Sequence, residues 1–294
     1  MFDRLYQDLR FALRQLRRHP GFSFLLILTV AVAIGANVAI FSVLEGIVLR
    51  PMSYPEPERL VAVWETPPEG RWYQPFSAPD YLDLREQTET LEEVGVIQQR
   101  VFNLSGGEEP LLVAGGACSA SLLDLLGVLP AQGRIFTEDE EIDGNHRVTV
   151  LSHDLWQSQF GADPDILGRQ VSINGEPWQV IGVMPRGFRS PTPFGGRDDT
   201  RLWTPLVLQG HDPGRSAHWL GTFARMAENA SPEAVEAELD IIATQLAEAY
   251  PDSNARVRMW VQPMMERTLG GIGSTLAVLL VIVGLVLLIA CANV

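Results

Sequence analysis

The chain has 294 residues, with 22 basic side chains against 36 acidic ones and a formal net charge of −14. That acidity excludes a nucleic-acid-binding protein, which needs a basic face to neutralise phosphates. Only two cysteines are present, Cys118 and Cys291, so there is no disulfide framework and any folded part must be held by its core.

In residues 1–20, Leu5, Leu9, Ala12, Leu13 and Leu16 recur at helical spacing, and Arg4, Gln7, Asp8, Arg10, Arg14, Arg17 and Arg18 fill the other directions. The pattern predicts a basic amphipathic helix along the inner membrane surface, either as a topology anchor or as a helix docking on a cytoplasmic partner. His19-Pro20-Gly21 is expected to break it.

Residues 22–44 carry no charge, and neither do residues 275–294. At about 1.5 Å per residue each run reaches roughly 30 Å as a helix, enough to cross a bilayer. The first run is too long for the usual signal-peptide core of about 7–15 residues, which favours an uncleaved signal anchor over a cleaved peptide. The second could also be a buried core helix, but its length and lack of charge favour a span. Arginines in the short amino-terminal flank place that terminus in the cytoplasm and the large loop outside. Ala31, Gly35 and Ala39 share one face of the first span, where small residues let helices approach closely, and Asn37 points elsewhere. The small face is expected to pack on another span, and Asn37 to meet a different neighbour or a wet groove.

The loop between the runs reads as mixed α and β. Residues 59–64 predict a strand, and Ser77-Ala78-Pro79-Asp80 opens a helix running to about Thr90. Residues 94–104 and 111–115 flank a turn. A short helix follows at 121–126, closed by Gly127. A strand at 147–151 leads to Ser152, which caps a helix ending at Phe160-Gly161. Residues 170–173 and 178–183 form a hairpin about Asn174-Gly175, which suits a type I′ turn. The stretch 185–214, rich in proline and glycine, is expected to be a mobile loop. Ser231-Pro232-Glu233 opens the longest helix of the loop, with Val235, Leu239, Ile242, Leu246 and Ala249 on its apolar face. Residues 256–262 alternate as a strand, and Gly270-Gly271-Ile272-Gly273 leads to the second run.

Chemistry-bearing motifs are sparse. Leu104-Ser105-Gly106-Gly107-Glu108 resembles the signature of ABC ATPase domains, but a Gly-Gly between apolar runs is a common hairpin turn. All 22 basic residues are arginine, so the lysine of a phosphate-binding P-loop is missing and no nucleotide cofactor is expected. His146 and His153 are seven apart, as are His211 and His218, without zinc-like spacing. They are read as solvated or capping. Asp80, Asp83 and Glu86 on one helix surface, and the acidic run 138–141, are read as solvated faces. No Gly-x-Ser-x-Gly elbow stands out. Trp156 and Phe160 at i, i+4 are read as core. No catalytic, cofactor or metal residue is assigned, and the chain is not expected to be an enzyme.

Several blocks carry a family resemblance. Residues 147–157 read Arg-Val-Thr-Val-Leu-Ser-His-Asp-Leu-Trp-Gln. They are followed by Phe160-Gly161, Ile166-Leu167-Gly168-Arg169, Ile173-Asn174-Gly175-Glu176 and Val180-Ile181-Gly182-Val183-Met184-Pro185. These resemble the extracytoplasmic domain of MacB-type ABC transporter permeases. The blocks 77–85 and 126–134 fit as well. The opening 9–16 and Pro20-Gly21-Phe22, with the closing 288–294, resemble the acidobacterial-type duplicated permeases of that group. The likeness covers almost the whole chain and is most specific over 147–185.

The resemblance implies two transmembrane helices flanking a mixed α+β extracytoplasmic domain, a porter-like part with an inserted second subdomain. The expected layout is a cytoplasmic helix at 1–20 and a first span at 21–46. The outer domain follows at 47–269, with the insertion near 113–217, and a linker with the second span at 270–294. It further implies an FtsX-like membrane region with more spans after these two, so the sequence is expected to be a fragment of a longer permease. The implied role is a multi-pass permease subunit in the bacterial inner membrane. A separate cytoplasmic ABC ATPase would drive motion of the outer domain for efflux or extraction of a substrate. Expected partners are that ATPase, further permease spans or a second copy, a periplasmic adaptor and membrane lipids. The alternative is an extracytoplasmic sensor or assembly module without transport.

Overall fold

A computed structural model describes residues 54–66, 73–106, 109–192, 199–209 and 214–264, with scattered positions in 20–38 and 278–288. The chain divides into two compact units, Met52–Thr268 and the two flanks Met1–Pro51 with Leu269–Val294. In the flanks, the described positions between 20 and 38 are helical, and they expose Phe24, Ile27, Leu28, Val32, Ile34 and Val38. Pro20 and Gly21 are helical, and His19, with the segment the break would separate from them, lies outside the described residues. Ala31 and Gly35 are helical and exposed, whereas Asn37 and Ala39 lie outside the described residues, as does the amphipathic helix at 1–19. Among the described residues no helix is long and apolar enough to cross a membrane, and both apolar runs fall largely outside them.

The folded unit begins with β1 (Leu60–Thr66), α1 (Ala78–Gln87), β2 (Leu91–Ser105), β3 (Leu111–Cys118), α2 (Ala120–Leu125) and β4 (Gln132–Gly133). It continues with β5 (Val148–Leu151), α3 (His153–Phe160), β6 (Gln170–Ile173), β7 (Glu176–Val183) and β8 (Leu202–Pro205). It ends with β9 (Gly221–Met226), α4 (Pro232–Ala249), α5 (Pro251–Asn254) and β10 (Arg258–Pro263). Serine caps start the helices as the sequence predicts: Ser77, Ser152 and Ser231 each accept a backbone N–H of the first turn. The turn at Asn174-Gly175 has φ of 54° and 86°, the two left-handed residues that a type I′ hairpin needs.

Four expectations change. α1 ends at Gln87 rather than near Thr90, because Glu238 of α4 accepts hydrogen bonds from Thr88 Oγ1, Glu89 N, Thr90 N and Thr90 Oγ1 and pulls that segment out of the helix. The short helix starts one residue early, behind Ser119, which caps it through Leu122 N. Ala249 is exposed, and Ala243 takes its place beside Val235, Leu239, Ile242 and Leu246. The stretch 185–214 is not simply a loop: it contains β8, four buried residues paired parallel to β3 and antiparallel to β5.

One sheet joins all ten strands in the order β10-β1-β9-β2-β3-β8-β5-β7-β4, with β6 pairing both β2 and β7. Alternation in β1 sorts its side chains. Val61 and Val63 enter a core with Tyr81 and Leu84 of α1 and the apolar face of α4. Leu60, Ala62 and Trp64 enter a second core with Leu122, Leu123 and Leu125 of α2. A third core lies further along, where Phe102 and Leu104 of β2 meet Leu155 and Phe160 of α3 and Val171 and Ile173 of β6. Each fully buried aliphatic side chain contributes about 1.5–3 kcal/mol.

The pairings β2-β3, β3-β8, β8-β5, β5-β7, β7-β6 and β6-β2 close a ring of six strands, with only two residue pairs at β2-β6 and at β5-β8. β2 therefore belongs to both the open sheet and the ring. Its Gly95 is where α2 crosses: a Cβ there would lie 2.5 Å from the Leu122 backbone. Gly95→Ala should lower the stability of the detergent-solubilised chain by about 2 kcal/mol or more. Leu129→Ala, at an exposed side chain, should stay within about 0.5 kcal/mol. Denaturant unfolding followed by tryptophan fluorescence measures both.

Candidate functional site

The segment leading into β9 is anchored by polar groups that are hidden from water. Asp80, in the first turn of α1, is fully buried. Its Oδ1 accepts from Arg215 Nη1 at 2.6 Å and from Asn254 Nδ2 at 2.9 Å, and its Oδ2 accepts from Ser77 Oγ at 2.6 Å. Arg215 also reaches Asp83 Oδ2 at 2.5 Å and lies over the Tyr250 ring at 3.5 Å. Three residues on, His218 Nδ1 stands 2.9 Å from Oε2 of Glu65, a fully buried carboxylate on β1, and 3.2 Å from the Pro75 carbonyl oxygen. The contact is close, yet neither Glu65 oxygen gains a well-aligned hydrogen bond. Burial accordingly pushes the Glu65 carboxyl up to about 7, with His218 opposing. Glu65 in turn raises the His218 imidazole, against that ring's own partial burial. Trp219 N and Leu220 N both donate to the Phe76 carbonyl, which completes the strap.

The strap forms one wall of a cleft of about 510 Å³. Gln98, Arg100 and Phe102 of β2 line its floor, Trp219 stands on the strap side, and Asn174 and Trp178 of the β6-β7 hairpin stand opposite. The hairpin wall is tied down at its turn: Asn174 N donates to Asn103 O, and Asn174 Oδ1 accepts from Asn103 N. His146 lies edge-on to Trp178, with ring centroids 5.6 Å apart.

These placements revise several readings. His218 is neither solvated nor capping, and Asp80 is not on a solvated face; in both cases the partner comes from a distant segment. The acidic run at Glu138–Glu141 is a short 3-10 turn in which the three glutamates are engaged, while Asp139 stays exposed as read. Glu138 pairs with Arg85, Glu140 takes both Nη groups of Arg134 at 2.7 Å, and Glu141 accepts from Ala120 N at 2.6 Å. Arg134 holds the Glu140 carboxyl below its usual value. Gly106, with φ of 107°, follows β2 in the β2-β3 hairpin, which is the turn reading of the Leu-Ser-Gly-Gly-Glu motif. Phe160 is core and Trp156 packs against it. Cys118 is buried, and burial raises its thiol well above the usual value. His211 and Cys291 lie outside the described residues. Among the described residues no three His, Cys, Asp or Glu side chains are grouped to hold a metal ion. Glu65, Arg215 and Arg100 were not singled out by sequence, because nothing in their local pattern marks them.

Residues 23–242 match the family described as MacB-like periplasmic core domain. The fold is shared by a number of solved structures, two of which serve as comparisons. One is the extracellular domain of the noncanonic ABC-type transporter YknZ from Gram-positive bacteria. It is 16% identical, with a TM-score of 0.50, over 69% of this chain and 99% of that one. The other is the periplasmic region of MacB from Actinobacillus actinomycetemcomitans. It is 17% identical, with a TM-score of 0.50, over 76% of this chain and 94% of that one. No curated protein matches the chain.

The Glu65–His218 pair sets a pH dependence. Both groups bind their protons more tightly in the folded state. The stability contributed by Glu65 is therefore full below the unfolded value of 4.5 and is lost as pH rises through about 7. The His218 contribution falls in the same direction, above 6.5. Glu65→Gln should remove a loss on the order of 2 kcal/mol between pH 5 and 8. Denaturant titrations of both proteins at several pH values measure the difference in slope.

Asp80→Ala leaves Arg215 and Asn254 without their shared acceptor and should cost about 3 kcal/mol. Arg85→Ala, which breaks an exposed pair, should cost less than about 1 kcal/mol. Thermal melts of the two variants side by side give the comparison.

Proposed function

The chain belongs to the MacB-like periplasmic core domain family, and on that premise we propose that it is a permease subunit of an ABC transporter in the bacterial inner membrane. The observation that carries this reading is the reach of the family match. It starts at residue 23, inside the first apolar run, and extends through the folded unit to residue 242. A cytoplasmic amino terminus, two spans at 21–46 and 270–294, and an outer domain with its insertion near 113–217 make up the proposed layout. Ala31, Gly35 and Ala39, with Asn37 on another side, are the proposed packing positions of the first span. A second permease copy, further spans, lipids and a periplasmic adaptor are the proposed neighbours.

The fold supports a mechanical role. β1 and β10 are antiparallel neighbours, with Val61 opposite Pro263, so the chain enters and leaves the domain side by side. A domain held in this way can hang from two membrane helices. Displacement of one helix against the other would load the β1-β10 ladder directly, and a continuous sheet would pass the load to β9 and β2. ATP hydrolysis by a separate cytoplasmic ATPase would supply the displacement, and efflux or extraction of a substrate would be its outcome.

Affinity purification of the tagged chain from membranes of its source cell tests the reading, and an ABC ATPase should co-purify. Recovery of the chain with other proteins and no ATPase would favour a sensor or assembly role. Orientation is tested in parallel with Leu129→Cys, an exposed position. On intact spheroplasts a membrane-impermeant maleimide should label this cysteine, while native Cys118, fully buried, should react only after denaturation. Labelling of Leu129→Cys only in inside-out vesicles would reverse the topology.

A further inference from the structure

β2 has β3 along one edge from Ile97 to Leu104. Its other edge is shared: β9 covers it from Leu91 to Ile97, and β6 only from Leu104. Between them, residues 98–102 have no strand on that side among the described residues. Backbone direction alternates along a strand. Asn103 exchanges its bonds with Asn174 on this edge, whereas Val96 turns to Ser119 on the β3 side. Gln99 and Val101 therefore present their N–H and C=O groups to the gap. Val101 is 66% exposed. Such an edge is a template for an added strand.

The side chains beside this gap leave donors unused. Arg100 spends its Nε on Gln98 Oε1 at 2.6 Å and has no carboxylate partner among the described residues. The same bond leaves the Gln98 amide N–H groups free. Asn174 uses its Oδ1 on Asn103 N, so its Nδ2 is left as a donor. His146 lies beside them, with its Nδ1 3.3 Å from Gly144 N and 3.4 Å from Asp143 Oδ1. Asp143 itself is on the exposed rim. All four lie in the cleft described above, with Phe102 and Trp178 supplying apolar surface.

We propose that this gap in β2 is a docking groove for an extended segment of a partner protein, added as a short strand along Gln99 and Val101 and carrying a carboxylate side chain to Arg100. The carboxylate is set by local charge complementarity: the Arg100 guanidinium has no carboxylate partner among the described residues and is flanked by the amide donors of Gln98 and Asn174. The strand is set by the open main-chain groups. About four to five residues fill the gap at roughly 3.3 Å each. The inference stands apart from the transport reading, since it rests only on the folded unit.

The test uses the 294-residue chain in detergent and a fluorescein-labelled peptide, acetyl-Thr-Val-Glu-Val-Thr-amide. Fluorescence anisotropy should show saturable binding, about tenfold weaker for the analogue with Gln in place of Glu. Arg100→Gln should bring the two peptides to equal affinity without changing the melting temperature. N-methylation of both valines, which removes strand donors without touching the protein, should abolish binding. Absence of saturable binding up to about 1 mM, equal affinity of the Gln analogue for the native chain, or undiminished binding of the methylated peptide overturns the proposal. So does binding that appears only when dilution dissociates a self-associated chain, which would assign the groove to a second copy.

Discussion

The carboxylate of Asp80 ties together three segments that are far apart in sequence. It receives Ser77 three residues away, Arg215 at a separation of 135 and Asn254 at 174. A buried charge is tolerated only when donors replace its water, so the three segments must assemble together or not at all. Ser77 Oγ meanwhile accepts from Asp80 N and caps α1, which makes the local start of a helix part of the same long-range knot. From Arg215 the strap runs on to His218, Trp219 and Leu220, and then into β9, a strand buried along its whole length. The position of the cleft wall and of the central strand thus follows from one side chain in the first turn of α1.

The sheet carries the second constraint. A strand has two edges, and β2 is long enough for one of them to meet two different strands. β9 and β6 do not meet along it. β9 leaves toward the strap, and β6 arrives from a hairpin whose register is fixed by Asn174. The unfilled stretch between them is a consequence of joining an open sheet to a closed ring through a single strand. Because the three cores are strung along β2, the gap sits between regions that are each well packed.

Arginine does structural work that lysine could not. Arg225 is buried in β9 and gives Nε and Nη2 to the Leu125 carbonyl oxygen, at 2.9 and 2.6 Å, and Nη2 to that of Pro55 at 3.1 Å. Arg134 grips Glu140 with both Nη groups, and Arg215 spans two carboxylates. Each use needs several donors held in one plane, the geometry of a guanidinium. An all-arginine basic complement is consistent with a domain that is stitched by side chain-to-carbonyl bonds as well as by its cores.

The sequence by itself determined the elements whose causes are local. Ser77, Ser152 and Ser231 each cap a helix through an N–H three residues on, and Asn174-Gly175 turns a hairpin with its own φ angles. The face of α4 is set by the helical period. Only the tertiary structure decided β8, because Leu202–Pro205 is buried on both faces and so shows no alternation among its glycines and prolines. Only it decided that Asp80 and Glu65 are buried carboxylates rather than solvated ones, and that β2 keeps an open stretch of edge. A cap or a turn is fixed by atoms within a few residues, so its signal is written beside it. The partner of a buried charge and the neighbour of a strand edge arrive from distant segments, Arg215 at a separation of 135 from Asp80 and Asn174 at 71 from Asn103, and no local pattern records them.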